Sequence, residues 1–308
     1  MRPVTSRVAT FAVVLAAAGV SGSSCAGARA STSVAPARPA APRGYLFIVG
    51  GGPQPAELVQ RFVDLAGGRG RAKIVVFAMA SESGERSGDE KATDLRELGA
   101  DARNIWITRE QANTDSVARL LDGVTGIWFG GGDQNRLTRV LRGTKTAEAI
   151  HARYAAGAVV GGTSAGAAVM TSPMITGDER APGGARRDTT QSFITIARDN
   201  VVVDSGFTLL AGVIVDQHFV RRKRHNRLIS LVLEREPHLG VGIDESTALI
   251  VAPDGHWTVV GESVALVYDG RRASVSAPPS PLGAADIRFH VLPAGSTFDP
   301  ATGKARLP

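Results

Sequence analysis

Gly161-Gly162-Thr163-Ser164-Ala165-Gly166 is the stretch whose reading decides the fold. It follows Ala158-Val159-Val160, an apolar run suited to a buried strand, and precedes Ala167-Ala168-Val169-Met170, which suits the start of a helix. Strand, Gly-x-Ser-x-Gly, helix is the pattern of a nucleophile elbow. Without a Cβ, the glycines permit a tight turn and close packing of the helix on the strand. Such a turn lifts the Ser164 hydroxyl out of the sheet. It also sets the Ala165 N–H and the positive helix end near any oxyanion formed there. Taken alone, the motif fits a Gly-rich turn with an ordinary serine equally well.

Two later clusters favour chemistry. Asp216-Gln217-His218-Phe219 follows the apolar run 209–215, and Gly242-Ile243-Asp244-Glu245-Ser246 follows Leu239-Gly240-Val241. Both put polar residues just past a short apolar strand, the edge where ligands bind in an open α/β sheet. Serine, histidine and carboxylate are the nucleophile, the general base and the group that orients the base. The order Ser164, His218, acid departs from the Ser, acid, His order of α/β-hydrolases. On a strand Asp244 and Glu245 face opposite ways, so only one of them is expected to reach His218. None of the six histidines shows metal-ligand spacing such as His-Glu-x-x-His, so no metal is expected.

Around these clusters the chain alternates. Residues 45–49, 74–78, 105–107, 127–129 and 158–161 read as short buried strands. Helical patterns lie between them near 56–65, 90–98, 117–121, 136–141 and 147–156. This predicts a parallel sheet with crossover helices. Residues 248–251, 257–260, 264–268 and 287–292 read as hairpin strands extending one side of that sheet, and 178–192 as a polar loop near the elbow. Gly130-Gly131-Gly132-Asp133-Gln134 follows a strand. It suits a second oxyanion donor, a phosphate cradle without the P-loop lysine, or a plain turn. Gly50-Gly51-Gly52 also follows a strand, without the acid that a dinucleotide site needs.

The N-terminus reads as a separate segment. Arg2 and Arg7 precede an apolar run over 8–20 and then small residues, the order of a secretory signal. The run is shorter than an ordinary membrane span. Ser23-Ser24-Cys25 offers a lipoprotein site with Cys25 lipidated, and Ala28-Arg29-Ala30 offers ordinary cleavage. The expected organisation is a leader over 1–25, an Ala/Pro/Ser-rich tether over 26–43 and one catalytic domain over 44–308. Five arginines within residues 1–43 account for all but one unit of the formal net charge of +6. The remaining domain is nearly neutral, which argues against nucleic acid as a partner. Its dense basic run is Arg221-Arg222-Lys223-Arg224-His225 with Arg227. Such a run is either a solvated helix face or part of the site beside His218.

The ordered set 130–134, 162–166, 216–219 and 242–245 resembles the cyanophycinases, of the serine peptidase family that also holds aspartyl dipeptidases. Arg222, Arg224, Arg227 and the ending His290-Val291-Leu292-Pro293-Ala294-Gly295 with Phe298-Asp299 share in the resemblance, which spans about residues 44–299. The chain departs from that pattern at Pro53-Gln54-Pro55, where cyanophycinases commonly carry an acidic segment. The resemblance implies a glutamine-amidotransferase-like α/β fold, three-layered, with a mostly parallel central sheet and added C-terminal antiparallel strands. It implies a serine peptidase without cofactor, which the leader would export, with Ser164 as nucleophile, His218 as base and Glu245, rather than Asp244, as the orienting acid. Ala165 and Gly131 or Gly132 would supply the oxyanion donors. The implied substrate is cyanophycin, an aspartate backbone with arginine on its side-chain carboxyls, cut to β-Asp-Arg dipeptides. Arg222, Arg224 and Arg227 would grip carboxylates, with further contacts from Gln134, Asp216 and Gln217 and weaker candidates Asp178 and Glu179 for the substrate arginine. An exported aspartyl or isoaspartyl dipeptidase acting on Asp-containing peptides, and a non-catalytic binding protein with the same shell, are the alternatives. Contact with a membrane is expected only through a lipid on Cys25, and a homodimer stays open.

Overall fold

The computed structural model describes residues 43–180, 186–188 and 195–308. The expected leader with Cys25 and the tether up to residue 42 lie outside the described residues, as do 181–185 and 189–194.

Five strands form the parallel centre: β1 (Leu46–Val49), β2 (Lys73–Phe77), β3 (Asp101–Asn104), β4 (Gly126–Phe129) and β5 (Val159–Thr163), side by side in the order β1-β5-β4-β2-β3. β1, β4 and β5 are buried at every position, as strands covered on both faces must be. One face packs on α1 (Ala56–Leu65) and α2 (Gly84–Glu97), through Leu58, Val59, Phe62, Val63, Ala92 and Leu95. Phe62 meets Trp128 of β4 edge to face, with ring centroids 4.9 Å apart, a geometry that adds about 0.5–1.5 kcal/mol to simple burial. Short helices α3 (Arg109–Ala112) and α4 (Asp115–Ala118) follow β3. The opposite face packs on α5 (Gln134–Leu141), α6 (Lys145–Ala156) and α7 (Ala165–Ala168).

Beyond the elbow, β6 (Met174–Arg180) pairs antiparallel with both β7 (Arg186–Asp188) and β8 (Val201–Asp204). β9 (Ile214–Asp216) and β10 (Leu239–Ile243) run parallel, joined by α8 (His225–Glu234). They belong to a second sheet rather than to the main one. Val215, Val241 and Ile243 face the main core, while Ile214 packs with Leu228, Leu231 and Val232 of α8. Of the C-terminal strands, β11 (Thr247–Val251) and β12 (Trp257–Gly261) extend the main sheet past β1, as expected. β13 (Val264–Asp269) pairs with β10 instead. A small hairpin, β14 (Ser274–Val275) with β15 (Ala284–Ala285), leads to β16 (Arg288–Pro293), which completes the second sheet beside β13. β17 (Thr297–Asp299) and β18 (Lys304–Arg306) close the main sheet.

Three expectations need correction. The strand expected at 105–107 lies at 101–104. β3 is an edge strand paired only with β2, and an edge tolerates the exposed Asp101 and Arg103, while Asn104 Nδ2 donates to Glu85 O (3.0 Å) of α2. The N–H of Ile105 still bonds to Val76 O (2.8 Å), after which the chain leaves the sheet. The polar stretch from 178 is not all loop, since Asp178–Arg180 complete β6 and pair with 186–188. The hairpin strands extend two sheets, not one, because β10 leaves an edge open for β13.

Candidate active site

Ser164 sits at the tip of β5 in a backbone conformation that side chains rarely adopt, φ 56° and ψ −112°. Such strain persists only where the surroundings hold it. Its N–H donates to Val49 O (3.1 Å), and its carbonyl accepts from Ala167 N–H (2.9 Å) and Ala168 N–H (3.0 Å). A Cβ on Gly166 would lie 2.2 Å from Phe129 O, so only glycine lets α7 pack so close beneath the serine.

His218 comes from the second sheet, two residues past β9, with φ 47°. Its N–H donates to Gly50 O at 2.6 Å, which ties it to the loop after β1. Its ring bridges the two other candidates: Nε2 is 2.9 Å from Ser164 Oγ, and Nδ1 is 2.6 Å from Glu245 Oε1. An ionised carboxylate only accepts, so Nδ1 carries the proton toward Glu245 and Nε2 is left to accept from the serine hydroxyl. Burial holds the His218 pKa below the usual histidine value, with Arg222 and Arg224 acting in the same direction; the Glu245 hydrogen bond pulls the other way. The imidazole is therefore neutral at pH 7, the form a base requires.

Asp244 and Glu245 lie in the turn between β10 and β11 and face different ways. Glu245 faces the ring. Asp244 turns away: Oδ1 accepts from the N–H groups of Val220 (3.1 Å) and Arg221 (2.9 Å), and Oδ2 from Ser263 Oγ (2.9 Å). It thus pins the turn that follows His218.

The loop after β1 has a larger part than its sequence suggested. Gly51, at φ 104°, lies flat against the imidazole, where a Cβ would come within 2.3 Å of His218 Cε1 and 2.4 Å of Nε2. A Cβ on Gly52 would lie 2.9 Å from Glu245 Oε2. Gly51 O also accepts from Ser246 N–H (2.9 Å), and Ser246 Oγ donates to Pro53 O (3.0 Å). The glycines clamp the histidine–carboxylate pair from above, and Pro53 helps anchor the clamp.

Gly130 and Asp133 bond through their N–H groups to Phe77 O and Ala80 O, both at 2.9 Å. Between them, the Cβ position of Gly131 lies 3.4 Å from Ser164 Cβ, whereas Gly132 presses on Ala80. Of the two, Gly131 is the one whose backbone borders the serine.

Ser164 opens into a cleft of about 530 Å³. Gln134, Gln217, Arg222, Arg224 and Arg227 all line it, as expected. Their roles differ. Gln134 is buried, and its Nε2 donates to Ile175 O (2.7 Å), bracing β6. Arg227 Nε donates to Asp216 Oδ2 (2.7 Å) and Nη2 donates to Oδ1, with both side chains 1% exposed. Asp216 accordingly positions Arg227 from behind the cleft wall, a correction to its expected contact with substrate. Arg224 Nη1 donates to Gln217 O (2.8 Å), and its pKa is pushed down to about 9 by burial, with Arg227 adding to the effect. It keeps its charge at pH 7. Arg222 is half-buried on the same wall. Asp178 lines the cleft, whereas Glu179 is 2% exposed and lines none of it. Glu82, Asn135, Arg136 and Thr176 also line it and were missed. Glu82 lies in the loop after the C-terminal end of β2, the region to which the strand-end rule points.

The chain matches the model of Peptidase family S51 over residues 46–259. It is 32% identical to a cyanophycinase of Trichormus variabilis over 271 residues, covering 84% of this chain and 87% of that one. It is 31% identical to a cyanophycinase of Geminocystis herdmanii, covering 84% and 95%. The crystal structure of a peptidase from an acI-B1 Actinobacterium shares the fold at TM-score 0.58 and 22% identity, over 82% of this chain and 98% of that one. The hydrogen-bonded line from Ser164 through His218 to Glu245 thus lies in a chain that belongs to Peptidase family S51, as a cyanophycinase-like serine peptidase.

Proposed function

We propose that Ser164, His218 and Glu245 are the catalytic triad of an enzyme that cuts an aspartate–arginine polymer into β-Asp-Arg dipeptides. The observation that carries the substrate is the two-signed cleft: Arg136, Arg222, Arg224 and Arg227 line it together with Glu82, Asp133 and Asp178. A repeat bearing both a carboxylate and a guanidinium suits such a wall. The cyanophycinase relatives support the same substrate class.

Ser164 Oγ attacks the amide carbonyl while His218 Nε2 takes its proton. The oxyanion that forms accepts from the N–H groups of Ala165 and Gly131. His218 then gives its proton to the leaving amine, and the acyl group remains on Ser164 Oγ. Water attacks this ester and loses a proton to His218; the acyl–Oγ bond then breaks, His218 returns the proton to Ser164 Oγ, and the acid product leaves. Glu245 holds the imidazole in the required tautomer and stabilises its charged form. The leader-like segment 1–25 supports export, with Cys25 as the residue a lipid would occupy.

The test is digestion of purified cyanophycin by the full chain, with products identified by mass spectrometry. Release of β-Asp-Arg is expected. An intact polymer, with cleavage confined to short aspartyl or isoaspartyl peptides, would assign the dipeptidase activity instead.

A further inference from the structure

A second hollow adjoins the cleft. Trp106 stands just past the C-terminal end of β3, on the edge of the parallel sheet that also carries Ser164. It is 42% exposed, whereas the other two tryptophans, Trp128 and Trp257, are each 1% exposed. Its indole is seated rather than loose, because a Cβ on Gly84 would lie 2.2 Å from Cζ3 of the ring. Beside it α2 presents Glu85, Asp89 and Glu90, all exposed. Together with Glu82 they border a groove of about 810 Å³, where Arg86 is the one cation among the lining residues and sits 3.9 Å from Glu90. Glu82 lines both this groove and the cleft around Ser164, and its Oε1 accepts from Arg136 Nη2 (2.5 Å) on the cleft side.

The needs of the helix explain only part of this acidity: Glu85 lies in the first turn and Glu90 pairs with Arg86 four residues back, but Asp89 lies outside the first turn. Carboxylates favour the first turn, where they meet the positive end of the dipole. Asp89 and Glu90 lie beyond that turn of a helix that begins at Gly84. An exposed, seated indole among carboxylates suits one ligand chemistry in particular. Guanidinium groups donate forked hydrogen bonds to carboxylates and are attracted to aromatic rings.

We propose that this groove binds arginyl side chains of the polymeric substrate, outside the repeat being cut, as a contact region continuous with the cleft through Glu82. The proposal rests on the reading of the substrate as an arginine-bearing polymer. A chain held at two places gains through effective concentration, and a substrate too short to span both gains nothing.

Two variants test it, Glu85→Gln/Asp89→Asn and Trp106→Ala. Each should raise KM for cyanophycin about five- to tenfold, the scale of losing one of two linked weak contacts, with kcat unchanged. Cleavage of a two-repeat fragment should be unchanged in both. Separately, oligoarginine added to Ser164→Ala should alter the fluorescence of the exposed Trp106. That response should weaken at high salt and largely disappear when Glu85→Gln/Asp89→Asn is added. Unchanged KM for the polymer in both variants would overturn the proposal. If the native chain leaves cyanophycin intact, the substrate reading fails. The oligoarginine titration then decides the groove alone, and a flat response would overturn it.

Discussion

Ser164→Ala should lower kcat by about 10⁴- to 10⁶-fold, and His218→Ala should do nearly the same. The expected loss is large because Oγ forms the covalent bond in the first step and Nε2, 2.9 Å away, is placed to take its proton. The double variant should be little worse than either single one, since a base without its nucleophile has no proton to accept. Residual activity should remain above the uncatalysed rate, from the oxyanion donors and the cleft. Michaelis kinetics on cyanophycin with the three variants check this. Multiplying losses in the double variant would mean that the two residues act independently.

Glu245→Gln should cost about 10³- to 10⁴-fold in kcat, with the fold retained. Glutamine is nearly isosteric, but its amide can donate a hydrogen bond to Nδ1. That moves the imidazole proton to Nε2, which then cannot accept from Ser164. It also removes the charge that stabilises the imidazolium. Asp244→Asn should act differently. Asp244 accepts from two backbone N–H groups and from Ser263, so the change should cost about 1–3 kcal/mol of stability. Its effect on kcat should be well below that of Glu245→Gln. Kinetics and thermal unfolding on the two variants separate these roles, and the reverse ranking in kcat would put the orienting acid at 244.

Much of this site is legible in the sequence because it obeys short-range rules. The elbow is contiguous, and its glycines and flanking apolar runs declare strand, turn and helix. His218 and Glu245 each follow an apolar strand; alternation says only that one of Asp244 and Glu245 reaches the histidine, and the family resemblance picks Glu245. What the sequence conceals is whatever depends on distant backbone meeting backbone. Gly51 reads as an ordinary turn glycine until the fold lays it against His218, 167 positions later in the chain, where a Cβ would come within 2.3 Å of the ring. That β9 and β10 form a separate sheet is equally hidden, since their apolar runs look like those of β1 or β4. Arg227 reads as part of a basic face. Only the turn from β9 into α8 shows that it folds back onto Asp216. β3 was misplaced because an edge strand needs little apolar character, so the apolar residues just beyond it attracted the assignment.

An activated hydroxyl at Ser164 is what the triad must produce. A fluorophosphonate probe, followed by peptide mass spectrometry, measures that directly. In the native chain the adduct should fall on Ser164, and in His218→Ala its rate of formation should drop by orders of magnitude. A protein that cleaves its substrate but carries no adduct at Ser164, or that labels there equally fast without His218, would contradict the triad.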